Sequence, residues 1–170
     1  AVIVPLLSGK RKLAGWVNFI LVAVAGVMLL NISYITIFQG GGAETQKIMG
    51  IYFLIDGFSA FFIAIISFLA IMSAFYSIQY MEHYPDYKLW SYYLTFPLFI
   101  IGMIGIVTVD DLSTGFTVAW QLMTIASYFL IRFEYRTEGN VRNANKYLIL
   151  MELAWVFIIV ATFLINGSAV

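Results

Sequence analysis

The 170-residue chain is 62% hydrophobic, 18% aromatic and 11% charged, with nine Lys and Arg against nine Asp and Glu. Soluble domains are ordinarily about a quarter charged, so this chain has too little polar surface for a water-facing globule and reads as an integral membrane protein. Zero net charge offers no basic field for nucleic acid. With no cysteine, the chain itself excludes thiolate metal sites, iron–sulfur ligation, disulfides and cysteine nucleophiles. One histidine, His83, cannot build a haem or zinc site alone.

The opening "AVIVPLLSGKRK" has no initiator Met. Residues 1–9 are too few to span a bilayer and lack a signal-peptide layout. They read as the end of a helix that begins earlier. Five apolar runs follow, at 13–38, 51–79, 89–109, 112–131 and 147–165. Each approaches or exceeds the roughly 20 residues that cross about 30 Å of hydrocarbon as a helix. Barrel strands would alternate apolar and polar residues over about ten positions, and these runs do not. The expected fold is therefore all-α and integral to the membrane, a single membrane domain of five transmembrane helices plus an N-terminal helix stub. Triple glycine, Gly40 to Gly42, marks a turning or flexible loop after the first run.

Charge predicts orientation. Eight of the nine basic residues fall on one side: Lys10, Arg11 and Lys12, then Lys88, then Arg132, Arg136, Arg142 and Lys146. Only Lys47 falls opposite. The positive-inside rule makes the basic side cytoplasmic and turns Asp110 and Asp111 outward, in a cell membrane crossed several times.

Polar groups inside the membrane are costly without partners, so they are the candidate functional residues. In the fourth run, Thr114, Thr117, Gln121, Thr124 and Tyr128 step by three and four and share a helical face. Gln121 lies about 15 Å along the helix from either flanking charge, near the midplane. The stripe serves either as interhelical hydrogen bonding or as the lining of a hydrated ion path in which Gln121 orients water. An amide donates and accepts hydrogen bonds but does not carry a proton as a carboxylate does. Trp120 precedes Gln121 as an interface residue. In the fifth run Glu152 stands six residues past Lys146 in "KYLILMELAW", about 9 Å in from the basic end. It requires neutralisation, a partner or water. It is either a structural pair or a proton-relay carboxylate, with Lys146 a further ion-path candidate. Asp56, in "LIDGFSAFF", belongs at the outer interface as a cap or loop anchor. Pro97, with Gly102 and Gly105, predicts a bend or close packing. His83 reads as a solvated loop residue. Tyr80, Tyr84, Tyr87 and Trp90 suit an interfacial belt. No catalytic, phosphate-binding or metal-ligand motif stands out, so no covalent chemistry is expected in this chain.

Two segments carry a family resemblance. "FTVAWQLMTIASYFLIRFE" followed by "NVRNANKYLILME" resembles the W-E-L-M, S-Y-F-L, F-E and K-Y-L patterns of antiporter-like membrane subunits. "IYFLIDGFSAFF" resembles the D-G-L-S start of an earlier helix in that family. Such subunits occur in respiratory complex I, Mrp sodium/proton antiporters and group 4 membrane-bound hydrogenases. The hydrogenase (formate hydrogenlyase-type) branch is closest in the last part of the sequence. The resemblance implies a fold of about fourteen helices with inverted repeats, of which this chain matches the first six. It implies proton or sodium translocation within a multi-subunit redox complex. The partners would be other membrane subunits and a peripheral arm, and any iron–sulfur or nickel–iron centres would belong to those partners. The family's mid-membrane glutamate matches Gln121, which departs from the pattern. The chain therefore reads as an antiporter-like subunit, as a non-conducting coupling element of such a complex, or as a small stand-alone transporter.

Overall fold

A computed structural model of the chain describes residues 11–40, 45–48, 50–110 and 114–167. The expected stub at 1–9, Lys10, Gly41, Gly42, Asp111 and Leu112 lie outside the described residues. In order, the elements are α1 (Arg11–Phe38), β1 (Gln46–Ile48), β2 (Ile51–Phe53), α2 (Gly57–Tyr80), a single 3₁₀ turn (Met81–His83), α3 (Leu89–Thr108), α4 (Thr114–Ile131) and α5 (Glu138–Gly167). Five helices are long and apolar enough to cross a bilayer, so the chain is an all-α membrane protein with one small hairpin.

The helices bury small side chains and expose large ones. On α1 the buried positions are Ala14, Gly15, Asn18, Val22, Gly26 and Ser33. On α2 they include Ser59, Ala60, Ser67, Ala70, Ala74 and Ser77. Val27, Met28, Phe68 and Phe75 point outward. This inversion of the soluble pattern has a simple cause. Lipid tails are as apolar as leucine, so helices gain nothing by hiding leucine from them; they gain from close backbone approach and dense packing. A Cβ on Gly26 would stand 2.8 Å from Ile71, which shows how tightly α1 and α2 meet. The second tight pair is α3 with α4, where Gly102 faces the backbone of Met123 and Gly105 faces Ala119. Pro97 sits inside α3, which continues through it, and lines a cleft between α1 and α3.

Two elements depart from the sequence expectation. The second span was expected from residue 51, but residues 51–53 form β2, antiparallel to β1. Gly50, at φ +88°, makes the turn. Leu54 N–H donates to the Thr108 carbonyl at 2.7 Å, and Asp110 N–H donates to the Tyr52 carbonyl at 3.0 Å. These non-local backbone bonds to the end of α3 draw Ile51, Tyr52 and Phe53 into extended structure, which aromatic and β-branched side chains favour. The last helix was expected from residue 147 but starts at Glu138. An acid in the first turn favours a helix start, and nine further residues of polar helix precede the apolar run. An apolar window does not register them.

The basic end is tied across three segments. Arg11 donates to the backbone carbonyls of Tyr84 at 2.8 Å and Tyr87 at 3.4 Å, and also to that of Pro85. Tyr84 OH donates to Glu134 Oε1 at 2.6 Å, and Asn140 Nδ2 donates to Glu134 Oε2 at 3.3 Å. The Glu134 carboxylate, accepting this bond, raises the Tyr84 pKa well above the usual phenol range. The rings of Tyr84 and Tyr87 pack on Phe133. Tyr84 and Tyr87 thus join the α2–α3 loop to the α4–α5 loop in addition to standing near segment ends. His83 is exposed on the 3₁₀ turn, with Nδ1 3.2 Å from the Gln79 carbonyl.

Candidate functional site

The α4 stripe meets α5 in an antiparallel polar seam. Nearest the basic end, Tyr128 OH donates to Asn145 Oδ1 at 3.2 Å and accepts from the Arg132 guanidinium at 3.3 Å. One position further in, the hydroxyls of Ser127 and Tyr147 lie 2.7 Å apart. Gln121 is about 10 Å deeper along α4. There Gln121 Nε2 donates to Glu152 Oε2 at 3.0 Å. The amide and the carboxyl singled out on separate helices therefore belong to one contact. Their registers explain this: 128 opposite 145, 127 opposite 147 and 121 opposite 152 follow a single antiparallel alignment.

More polar atoms surround the contact than it uses. Thr124 is fully buried. The hydroxyls of Thr117 and Thr124 and the indole N–H groups of Trp120 and Trp155 are buried and find no hydrogen-bond partner among the described residues. Trp155 lies one helical turn from Glu152 and so shares its face. Buried polar atoms are normally paired with protein or water, so these four give the seam unused hydrogen-bonding capacity beside the carboxyl. An amide N–H can donate to a carboxyl oxygen whether that acid is ionised or neutral. Gln121 can therefore keep hold of Glu152 through a proton exchange.

Lys146 is not part of this group. It is exposed and lines an open recess with Glu138, Arg142 and Asn145. Six residues of α-helix turn it to a different face from Glu152. Asn145, Ser127, Tyr147 and Trp155 were not singled out from the sequence. Asn145 and Tyr147 fell in or beside the stretch expected to be loop, while Ser127 sat next to the stripe rather than on it. Among the described residues no group of three His, Cys, Asp or Glu could hold a metal ion.

Residues 48–92 match the family model of the N-terminus of chain 5 of NADH-ubiquinone oxidoreductase (complex I). A Na(+)/H(+) antiporter of Alkalihalophilus pseudofirmus supplies one relative, 29% identical over 155 residues, covering 86% of this chain and 19% of the relative. The L subunit of the NADH-quinone oxidoreductase of Buchnera aphidicola is 30% identical over 115 residues, covering 68% and 18%. The chain belongs to the antiporter-like membrane subunit family, of which it matches an N-terminal portion. The L subunit of the F(420)H(2) dehydrogenase of Methanosarcina mazei is a further relative, 29% identical over 92 residues, covering 54% of this chain and 13% of the relative. The antiporter-like chain spans roughly a fifth, or less, of the length of these curated relatives.

The matched segment contains Asp56, which caps α2 of the antiporter-like chain. Its Oδ1 accepts from Ser59 N–H at 2.7 Å. That hydrogen bond favours the charged form and lowers the Asp56 pKa. Because the folded-state pKa is depressed, the stabilisation is present above the ordinary carboxylate range and disappears as pH falls through the folded-state pKa. Asp56→Ala is expected to lower stability by about 1 kcal/mol at neutral pH. Thermal unfolding in detergent at neutral and strongly acidic pH checks this. The gap between variant and parent should close in acid.

Proposed function

We propose that this chain is part of an antiporter-like subunit whose mid-membrane acid is carried on α5, by Glu152, rather than on α4. The subunit would move protons or sodium ions in a multi-subunit respiratory or hydrogenase-type redox complex, with its basic loops on the cytoplasmic side. One observation carries the proposal: Gln121 holds Glu152 at 3.0 Å across the α4–α5 seam. The resemblance places the family's glutamate at residue 121. A carboxyl one hydrogen bond away supplies a titratable group in nearly the same place, where an amide alone would not. The flanking unpartnered groups of Thr117, Thr124, Trp120 and Trp155 support a seam able to orient water around that carboxyl. The redox chemistry would reside in partner subunits, coupled to this one through the membrane arm.

A non-conducting role has one observation in its favour. The same contact also fastens α5 to α4, as polar pairs do between membrane helices. Glu152→Gln separates the two readings, because it keeps the shape and an acceptor oxygen while removing the titrating group. In the assembled complex reconstituted in liposomes, ion movement per redox turnover is expected to fall by about 100-fold, the usual order for losing a positioned proton-transfer group. Normal assembly with full coupling would leave Glu152 a structural tie.

A further inference from the structure

We propose that the basic end of α3 and α4 binds the phosphate headgroup of an anionic phospholipid. A cavity of about 220 Å³ opens there, lined by Lys88, Ser91, Arg132 and the rings of Trp90, Phe129 and Phe133. Lys88 immediately precedes α3, and Arg132 immediately follows α4. Both cations therefore stand where hydrocarbon gives way to headgroups.

The charge in this cavity is not neutralised from within. Among the described residues neither Lys88 nor Arg132 forms an ion pair, and the neighbouring acids are engaged elsewhere. Asp86 lies 3.8 Å from Arg136, Glu82 lies 3.5 Å from Lys12, and Glu134 accepts from Tyr84 and Asn140. Arg132 gives one N–H to Tyr128 at 3.3 Å, which leaves most of its five-donor fork for an anion. The open recess beyond Tyr135 differs, because Glu138 stands among its bases.

The walls favour a lipid over free phosphate. Trp90 is 45% exposed and Phe129 44% exposed, so large apolar surfaces adjoin the cations on the outside of the bundle. Inorganic phosphate would gain nothing from those rings. A phospholipid places its phosphate against Lys88 and Arg132, its glycerol near Ser91 and its acyl chains along Trp90 and Phe129. Basic pockets between membrane helices on the cytoplasmic side hold anionic headgroups in this way.

The test uses the assembled complex in nanodiscs of phosphatidylcholine containing a small fraction of photoactivatable phosphatidylglycerol. Labelling is expected to concentrate on peptides bearing Trp90 or Phe129, and photoactivatable phosphatidylcholine should label them far less. Lys88→Gln with Arg132→Gln should weaken labelling by about 25-fold, roughly fivefold per cation, whereas Lys88→Arg with Arg132→Lys should stay within about twofold. Equal labelling by the two lipids, or labelling unchanged in the neutral double variant, would overturn the proposal. Displacement of the lipid label by an equal concentration of inorganic phosphate would also overturn it, in favour of a free-anion site. If the neutral variant fails to assemble, the comparison of the two lipids on the parent complex still decides.

Discussion

Exchanging the two seam side chains, Gln121→Glu together with Glu152→Gln, is expected to return most of the ion coupling that Glu152→Gln alone removes. The two groups differ by one atom of a planar end group and stand 3.0 Å apart. Exchange keeps the volume, a donor and an acceptor between α4 and α5, and one carboxyl in the seam. It moves that carboxyl by about the length of a hydrogen bond. The double variant also places the acid at the position where the resemblance puts the family's glutamate. If a titratable group at this depth is what matters, the single variant should lose about 100-fold in coupling and the double variant should approach the parent. The measurement is ion movement per redox turnover in proteoliposomes, with assembly monitored on the same preparations. A double variant as inactive as the single one, though fully assembled, would mean that carboxyl position on α5 is essential or that the seam does not conduct.

Gly102→Ala is expected to destabilise the bundle by roughly 2 kcal/mol, because overpacking a tight contact ordinarily costs about 1–3 kcal/mol. A Cβ at residue 102 would lie 2.6 Å from the backbone nitrogen of Met123 and 2.8 Å from its Cα. The obstacle is the backbone of α4, which cannot rotate aside as a side-chain tip can. Helix propensity works the other way, favouring Ala over Gly by about 1 kcal/mol, but it is smaller than the clash it must offset. Relief requires α3 and α4 to separate, which would loosen the neighbouring contact of Gly105 with Ala119. Gly139→Ala is the control, since a Cβ there meets nothing within 4 Å and α5 already includes the residue. It should leave stability unchanged or slightly raised. Thermal unfolding of both variants in detergent provides the comparison, and equal stability at 102 and 139 would refute close α3–α4 contact.

Much of the architecture was legible because transfer from water to lipid acts residue by residue. A run such as 89–109 is apolar enough to cross whatever its neighbours do. The period of the α4 stripe was legible for a related reason, since helical geometry alone places Thr117, Gln121 and Thr124 on one face. Residues 51–53 were not legible as strand, because their extended state rests on backbone partners at Thr108 and Asp110, more than fifty positions away. The start of α5 was hidden because residues 138–146 carry the helix outside the apolar window, where hydropathy is silent.

By itself, then, the sequence determined a five-span α-helical membrane chain with its basic residues on one side, a polar face on the fourth span and a lone carboxyl inside the fifth. It did not determine that Gln121 and Glu152 touch, that Lys146 faces elsewhere, or that Tyr84 bonds to Glu134. Those depend on the rotation of each helix about its axis and on the register between antiparallel helices. Both are settled by small residues, such as Gly102 and Gly26, that decide how closely backbones approach. A partner 31 positions away leaves no periodic trace in either helix, so only the packed bundle could make one site of an amide and an acid.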